Sequence, residues 1–519
     1  MKLWTRGTPD IKRAWALYTR AREFKEAIDL YDTVESNENF FIGKQWEGVN
    51  AAGLPTPVFN ILKRDVLHVV ASITTDNLSV KASPLENTPD TKRLGDVSRI
   101  LSEEFAALME QNHLVETIRE FARDAAVRGD GCLYSYWDTE RNSVRTETLP
   151  NTQVHFGNPN DRRVQTQPYL IIERRDIAED VREEAKNNGC ADFERIVSDE
   201  EDSHLRAEKR TGDKVTRLLF LWKENGSVWA YECTKNCEVR AKWDLGLRRY
   251  PIVWLNWDYV SDCCHGQSML TGLIPNQIFI NRMWALSMLS MMTTAYPKVI
   301  YDRSKISKWS NRVGEAIGVT GGDLQNVARI LDPAAISPQV GGFIEMAVEQ
   351  TNRSLGANAA ALGDVRPDNT SAIVALQRAA ATPSEITKQN LRRCVEELAW
   401  IWLEFIAEYY GVRDVDVPAT EEILRAAEFA KLPAPETVRA PFDFGVFKAL
   451  PLSLKIEAGA SAYYSEIAAI QTLDNLLRSG AISVTQYLAR LPDGYVPDRQ
   501  GLIEEIAGAG MKGDKASPV

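Results

Sequence analysis

A block of strand-like segments, residues 132–257, lies between two blocks of helical periodicity, and this order limits the folds open to the chain. The segments run from CLYSYWD at Cys132 to YPIVWLNW at Tyr250, and the Asn225-Gly226 pair between two of them predicts a hairpin. Helical segments flank the strands instead of alternating with them. The pattern therefore predicts an α+β protein, mainly α, with an antiparallel β region. At 519 residues the chain is long enough for several domains.

The region before the strands is predicted to be helical. Thr8 and Pro9 open a helix expected to continue to about Glu35. A second helix follows Pro57, and two more cover roughly residues 90–128. Within the strand block, an acidic interruption at about 176–209 has a helical pattern and is expected to be a solvated insertion.

The least charged long segment follows the strands and predicts a helix over 267–295, closed by Pro297. Its charge-free run is too short and too polar for a membrane span, so we expect a buried or interface helix and no membrane partner. Methionine packs adaptably, which suits a subunit interface, although a plain core helix is the alternative. The interface candidates are Met283, Met288, Met291 and Met292.

The C-terminal part of the chain is predicted to be helical again. Strand-like KVIYD, GEAIGVTGG and ARILDP precede a second helix from Pro338 to about Ala357. A loop over 357–370 then leads into a very long helix, 371–411, which Pro383 is expected to kink. The later half of this helix carries an apolar stripe that consists of Leu391, Val395, Leu398, Trp402, Phe405 and Tyr409.

Charge and motif content argue against several functional classes. The net charge of −11 disfavours a protein that grips nucleic acid over a broad surface. The scattered cysteines and the absence of a signal-peptide pattern indicate a reducing cytoplasm. Cys233 with Cys237, and Cys263-Cys264-His265, lack the paired spacing of a zinc site. No spacing recommends a catalytic set, so we expect no enzyme, no metal and no cofactor.

Four motifs in order carry a family resemblance. FFIGKQW at Phe40 followed by PTPVFNILKRDV at Pro55 resembles the entry motif of tailed-phage portal proteins. HGQSML at His265, with Gln277 and Asn281, resembles the step into that family's first stem helix. GDVRPDNTSAIVALQRA resembles the portal junction between loop and long helix, and the segment from IEAGAS to YLARLP resembles the helical region that follows. The resemblance covers roughly residues 30–495.

The resemblance implies a portal fold with wing, stem, clip and crown regions. The implied regions are the wing at 1–265, stem helix one at 266–296, the clip at 297–337, stem helix two at 338–356, a tunnel loop at 357–370, the long kinked wing helix at 371–411, a wing return segment at 412–455, a crown-like helical region at 456–505 and a disordered tail at 506–519.

The resemblance also implies a function and a set of partners. Portals are rings, usually of twelve protomers, at one capsid vertex of the virion, and double-stranded DNA passes through them during packaging and ejection. The implied partners are further copies of the chain, the terminase large subunit, head-completion or adaptor and tail proteins, and the major capsid or scaffolding protein. Assembly would take place in the host cytoplasm.

The DNA-channel candidates follow from the implied regions. Arg366 and Asp364 lie in the implied tunnel loop, and the implied clip contributes Lys298, Arg303, Lys305 and Lys308. Surface lysines of this kind are commonly only solvated. Two alternatives stay open at this point: a multidomain cytoplasmic enzyme with a sheet and a helical lid, and another phage head or baseplate structural protein.

Overall fold

The protein is a mixed helix and sheet structure, in agreement with the predicted α+β class. The structure is a computed structural model. It describes residues 3–4, 7–51, 53–74, 78–84, 91–199, 213–295, 298–310, 316–321, 327–330, 339–354, 384–418, 437–450, 452–458, 473–479 and 481–491. Within these ranges no helix has the length and apolar character needed to cross a membrane.

The helices follow one another along the chain. They are α1 (Ile11–Ala27), α2 (Leu30–Ile42), α3 (Ile61–Ile73), α4 (Thr91–Gln111), α5 (Leu114–Arg128), α6 (Ala178–Asn187), α7 (Ile274–Ala295), α8 (Gln339–Ser354), α9 (Glu385–Tyr409) and α10 (Val484–Arg490).

Among the described residues the strands form five sheets. In chain order they are β1 (Leu78–Pro84), β2 (Asp130–Asp138), β3 (Ser143–Thr148), β4 (Val154–Phe156), β5 (Leu170–Ile177), β6 (Lys214–Glu224), β7 (Ser227–Cys233), β8 (Glu238–Asp244), β9 (Ile252–Asn256), β10 (Val299–Tyr301), β11 (Ala328–Ile330), β12 (Val412–Pro418), β13 (Thr437–Asp443) and β14 (Leu452–Ala458).

The chain divides into two compact units. The first contains Met1–Ser72, Gln111–Arg413 and Pro441–Ala449, and the second contains Ile73–Glu110, Asp414–Ala440 and Leu450–Val519. In the second unit β1 pairs antiparallel with β14, from Leu78 opposite Ala458 to Pro84 opposite Leu452. The Ser102 hydroxyl on α4 accepts a hydrogen bond from the Ala82 N–H (3.0 Å), so this helix is fixed to the strand pair.

The predicted single N-terminal helix is wrong, because the chain forms two helices there. Asp29 adopts a left-handed backbone conformation with φ of 52° between α1 and α2. Aspartate tolerates this conformation better than most residues, and the apolar pattern continues across the break. The pattern alone therefore did not reveal the turn.

Two antiparallel sheets form the β region of the first unit. The order is β3-β2-β9 in one sheet and β4-β5-β6-β7-β8 in the other. Asn225 (φ 54°) and Gly226 (φ 84°) form the tight turn of the β6–β7 hairpin, as the sequence predicts. One face of the larger sheet packs against Trp4, Ala14 and Tyr18 from the N-terminal segment and α1.

The segment after the sheets differs in part from the sequence-based expectation. The helix predicted over 267–295 begins only at Ile274, because residues 267–273 form a bridge and turns. Of the strand-like segments, KVIYD and ARILDP contain the paired strands β10 and β11. The described part of GEAIGVTGG, residues 316–321, is irregular and forms no strand.

Helix α9 lies in the core of the first unit. Five members of its predicted apolar stripe are fully buried, and Tyr409 stacks on Trp137 of β2 with ring centroids 5.2 Å apart. The Trp402 indole N–H donates to the Thr146 hydroxyl of β3 (2.9 Å). Pro383 and the start of the predicted long helix lie outside the described residues.

Candidate assembly surface and its anchor

The FFIGKQW turn closes the C-terminal end of α2. Gly43 has a φ of 94°, a left-handed conformation that ends the helix. The Phe40 carbonyl, left without a partner inside the helix, accepts from the side-chain amides of Gln45 (3.1 Å) and Asn60 (3.1 Å). The Trp46 indole N–H donates to the Pro57 carbonyl (2.9 Å), which holds the following segment against the turn.

Asn60 connects two helix ends at once. Its amide nitrogen donates to the Phe41 carbonyl (2.9 Å) at the end of α2 as well as to Phe40. Its amide oxygen accepts from the Lys63 N–H (3.0 Å), the N-terminal capping arrangement for α3. The end of α2 and the start of α3 are therefore fixed to one side chain.

Gln277 and Asn281 attach α7 to this turn. Residues four apart lie on the same face of a helix, and both side chains are buried. The Gln277 amide nitrogen donates to the Phe59 carbonyl (2.8 Å), and its oxygen accepts from the Ile61 N–H (3.3 Å). The Asn281 amide nitrogen donates to the Gln45 side-chain oxygen (2.6 Å). We call Gln45, Asn60, Gln277 and Asn281 the amide anchor.

Helix α8 packs against α7. The C-terminal end of α8 is held by contacts with the start of α7 and with α3. The Asn276 amide near the start of α7 donates to the Thr351 hydroxyl near the end of α8 (3.3 Å), so the two helices run antiparallel. The Asn352 amide, oriented to satisfy both neighbours, donates to buried Asp65 of α3 (3.0 Å) and accepts from Arg64. Burial raises the pKa of Asp65, and the Arg64 charge opposes that rise.

Beyond the anchor, α7 exposes apolar side chains on two opposite sides. At about 100° per residue, Trp284, Met288 and Met291 lie on the side that carries the anchor, further along the helix. Phe59 extends this strip, with its ring centroid 4.9 Å from that of Trp284. Phe279 and Leu286 form the second strip, roughly 170° around the axis. Met291 is 72% exposed and Leu286 is 50% exposed, so neither strip is covered.

The apolar strips lie on a helix with almost no charge. Arg282 is the one charged residue of α7. Large contiguous apolar surfaces are uncommon on monomeric proteins and mark sites of association. Arg282 lies beside the second strip, and α8 covers a third side of the helix. The described surface of α7 thus offers two separate faces to other molecules.

Comparison with protein-family models identifies the family of this chain. Residues 179–415 match the family model described as Phage P22-like portal protein. Over these residues the chain belongs to the phage portal protein family. The resemblance stated from the motifs is thereby confirmed. No curated protein matches the chain at a significant level.

The match in this portal protein begins within α6 and ends within β12. It includes the whole α7–α8 hairpin and both α7 members of the anchor, Gln277 and Asn281. The other two members, Gln45 and Asn60, precede the matched residues. The hydrogen bonds of the amide anchor therefore join the FFIGKQW turn and Asn60 to the matched part of the portal protein.

The predicted interface methionines of the portal protein are mostly exposed. Met288, Met291 and Met292 are exposed and Met283 is half-buried. Sequence reasoning missed Phe279, Leu286, Trp284 and Phe59. The helical spacing of Phe279 and Leu286 in a segment with one charge was the available signal for the second strip.

The predicted cations of the portal protein fall into two groups. Lys298, Arg303 and Lys308 are exposed near β10 and β11, and Lys305 is half-buried. Among the residues that the structure describes, none of these four forms an ion pair. The Lys305 backbone is held, because its carbonyl accepts from the Thr320 N–H (2.9 Å) and its N–H donates to the Asp302 carbonyl (3.1 Å). Arg366, Asp364 and Pro383 lie outside the described residues.

Proposed function

We propose that this portal protein assembles into a closed ring of identical subunits at one capsid vertex, and that double-stranded DNA passes through the ring. The observation that carries the proposal is the pair of opposite apolar strips on α7. Because the strips differ in sequence, one strip of a subunit packs against the other strip of its neighbour. Such head-to-tail contacts are heterologous, and they form a ring where the rotation closes.

We assign to the chain the regions that the family resemblance implies. The α7–α8 hairpin supplies stem helices one and two, within 266–296 and 338–356, and β10 and β11 belong to the clip at 297–337. The wing comprises 1–265 with the long helix at 371–411 and the return segment at 412–455. The crown-like region is 456–505, and the tail is 506–519. The stable α7–α8 packing and the anchor support a stem that keeps its direction.

The proposed ring carries DNA without holding it. A ring of about twelve subunits, each with a net charge of −11, repels a polyanion over most of its surface. Local cations then meet the phosphate backbone transiently, and we assign this role to Arg366, with Asp364 beside it, and to the clip cations. Pro383 bends the long helix and sets the position of the tunnel loop at 357–370.

The proposed partners follow from the same function. The clip and its cations form the platform for the terminase large subunit and, after packaging, for adaptor and tail proteins. The wing contacts the major capsid or scaffolding protein. The role is structural, with the motor ATPase on the terminase and no cofactor on this chain.

Assembly of the purified chain tests the ring. We expect mass photometry and negative-stain microscopy to show rings with a central hole. Leu286→Glu places a charge in the second strip and should reduce ring formation about tenfold or more at equal concentration, because burying an unpaired carboxylate is costly. Val197→Glu is the matched control, since Val197 is 52% exposed and lies outside α7. A wild type that stays monomeric, or equal ring yields from both variants, would contradict the proposal.

A further inference from the structure

A second buried polar cluster lies at the start of the loop that leads into α7. It contains Lys25 of α1, Asp130 of β2, His155 of β4 and His265, all fully buried or nearly so. Glu173 of β5 completes it, with 16% of its side chain exposed. Ionisable side chains are rarely buried unless they are paired, so the contacts within this cluster decide its behaviour.

Asp130 holds the loop before α7 through several donors. The Gly266 N–H (2.7 Å) and the Asn256 amide (2.8 Å) donate to one carboxylate oxygen. His265 Nδ1 lies 2.7 Å from the other oxygen, which fixes the neutral ring with its proton on Nδ1. The Asn151 amide donates to that second oxygen as well (3.2 Å).

Lys25 connects α1 to the same cluster. Its ammonium group donates to the carbonyls of Asn151 (3.0 Å), Thr152 (2.9 Å) and Val154 (2.7 Å). Asn151 therefore contacts Lys25 through its carbonyl and Asp130 through its side chain. A continuous hydrogen-bonded path leads from α1 through Asn151 and Asp130 to the loop at His265.

His155 has one satisfied nitrogen and one that lacks a partner. Its Nε2 lies 3.0 Å from a Glu173 carboxylate oxygen, whereas its Nδ1 is buried with no hydrogen-bond partner among the described residues. The neutral ring with the proton on Nε2 fits this environment. A second proton would add a donor without an acceptor and a positive charge near Lys25.

The charged groups that act on the two imidazoles are Lys25 of α1, Asp130 of β2 and Glu173 of β5, and the Tyr18 ring of α1 packs edge-on against His155. The groups that surround Lys25, Tyr18 and Glu173 in turn are Arg22 of α1, Tyr31 of α2, Cys132 of β2 and Cys264 of the loop. Burial, followed by the Lys25 charge, lowers the pKa of His155 from 6.5 to about 4. Burial also lowers the pKa of His265, although the Asp130 hydrogen bond opposes the change.

We propose that His155 and His265, with Asp130, Lys25 and Glu173, form a proton-operated latch that releases α1 and the loop before α7 when the medium is acidified. Unfolded or opened chain binds protons on these imidazoles more readily than the closed form does. The closed form is therefore fully stable above the ordinary histidine pKa and loses stability as the pH falls towards the lowered values. This inference does not depend on ring assembly.

Hydrogen–deuterium exchange measured by mass spectrometry tests the latch. Peptides from α1 and from residues 256–268 are compared at about pH 7 and about pH 5, with rates corrected for the intrinsic effect of pH. We expect opening in the wild type to increase about tenfold at the lower pH. In the double variant His155→Gln/His265→Asn, the amide nitrogens replace Nε2 and Nδ1 as donors and cannot gain a proton, so the increase should be about twofold or less.

The exposed residue His113 supplies the control. His113→Asn keeps a residue that tolerates its left-handed backbone (φ 47°) and should respond to acid as the wild type does. Exchange of the imidazole C2 hydrogens in unmodified protein provides a second measurement, with midpoints for His155 and His265 expected below the ordinary histidine pKa of 6.5. Midpoints at or above that value, or equal acid-induced opening in the double variant and the wild type, would overturn the latch.

Discussion

At the scale of single residues, the amide anchor shows how neutral side chains fix a helix to a distant turn. Each of its four side chains contacts a backbone group or another anchor amide, so few buried donors and acceptors are left unpaired. An unpaired buried polar group costs about 1–3 kcal/mol, more than a formed hydrogen bond contributes. The anchor is thus more sensitive to the loss of one member than its individual bonds suggest.

Gln277→Leu is expected to destabilise the first unit. The substitution removes the Gln277 partners of the Phe59 carbonyl and the Ile61 N–H, and it leaves the buried Asn281 side-chain oxygen without its Gln277 donor, at a cost of about 1–3 kcal/mol. Differential scanning fluorimetry should show the unfolding midpoint falling by several degrees. Gln350→Leu makes the same chemical change at an exposed position of α8 and should shift the midpoint little. Equal shifts would mean that the Gln277 contacts are energetically neutral.

At the scale of elements, the turn from α5 into β2 brings the start of the sheet against the loop before α7. Gly129 has a φ of 96°, and a Cβ built there would lie 2.6 Å from the Gly266 carbonyl oxygen. Gly131 approaches the Phe121 carbonyl just as closely, with a built Cβ at 2.5 Å. Close approach therefore requires both glycines of this turn, and the positive φ of Gly129 is a second requirement at that position.

Gly129→Ala should destabilise the protein more than Gly226→Ala. Both positions have positive φ, which costs an alanine about 1 kcal/mol, but the space around Gly226 is open. At Gly129 the clash with Gly266 adds to that cost and displaces the loop, so we expect at least twice the loss. Chemical denaturation of the two variants gives the comparison. Equal losses would show that the loop moves aside without cost.

The sequence predicted elements better than the contacts between them. Alternating apolar residues predicted the strands β2 to β9. The apolar stripe that begins at Leu391 predicted the buried face of α9. The anchor could not be predicted in the same way, because Gln277 and Phe59 are 218 positions apart and polar residues have no periodic signal. The break at Asp29 was missed because the apolar pattern continues through it.

At the scale of the whole molecule, a strongly negative portal subunit carries a few cations at the end of its hairpin. The net charge of −11 sets the general repulsion of DNA, and Lys298, Arg303 and Lys308 are locally exposed exceptions. Attraction between one cation and one phosphate is about 1 kcal/mol at 4 Å in water. Contacts of this strength form and break readily, as movement of DNA through the proposed channel requires.

Reversing the charge of the cations in the proposed clip should impair DNA packaging and leave rings intact. We expect the triple variant Lys298→Glu/Arg303→Glu/Lys308→Glu to assemble normally and to package less DNA in a terminase-dependent assay. The triple variant Lys12→Glu/Arg119→Glu/Lys186→Glu changes the net charge equally at exposed positions outside the hairpin and should package normally. Similar defects in both variants would attribute the effect to total charge and not to the clip.

The amide anchor has a consequence for the surroundings in which a portal works. Its four side chains carry no net charge at any ordinary pH, and counterions, which screen exposed charges over about 8 Å at physiological ionic strength, do not weaken it. The strength of an ion pair such as Arg123 with Glu38 depends on salt concentration. The hydrogen bonds that fix the direction of α7 relative to the FFIGKQW turn do not depend on it. Helix α7 therefore keeps the same direction in dilute buffer and next to a concentrated polyelectrolyte that is surrounded by counterions.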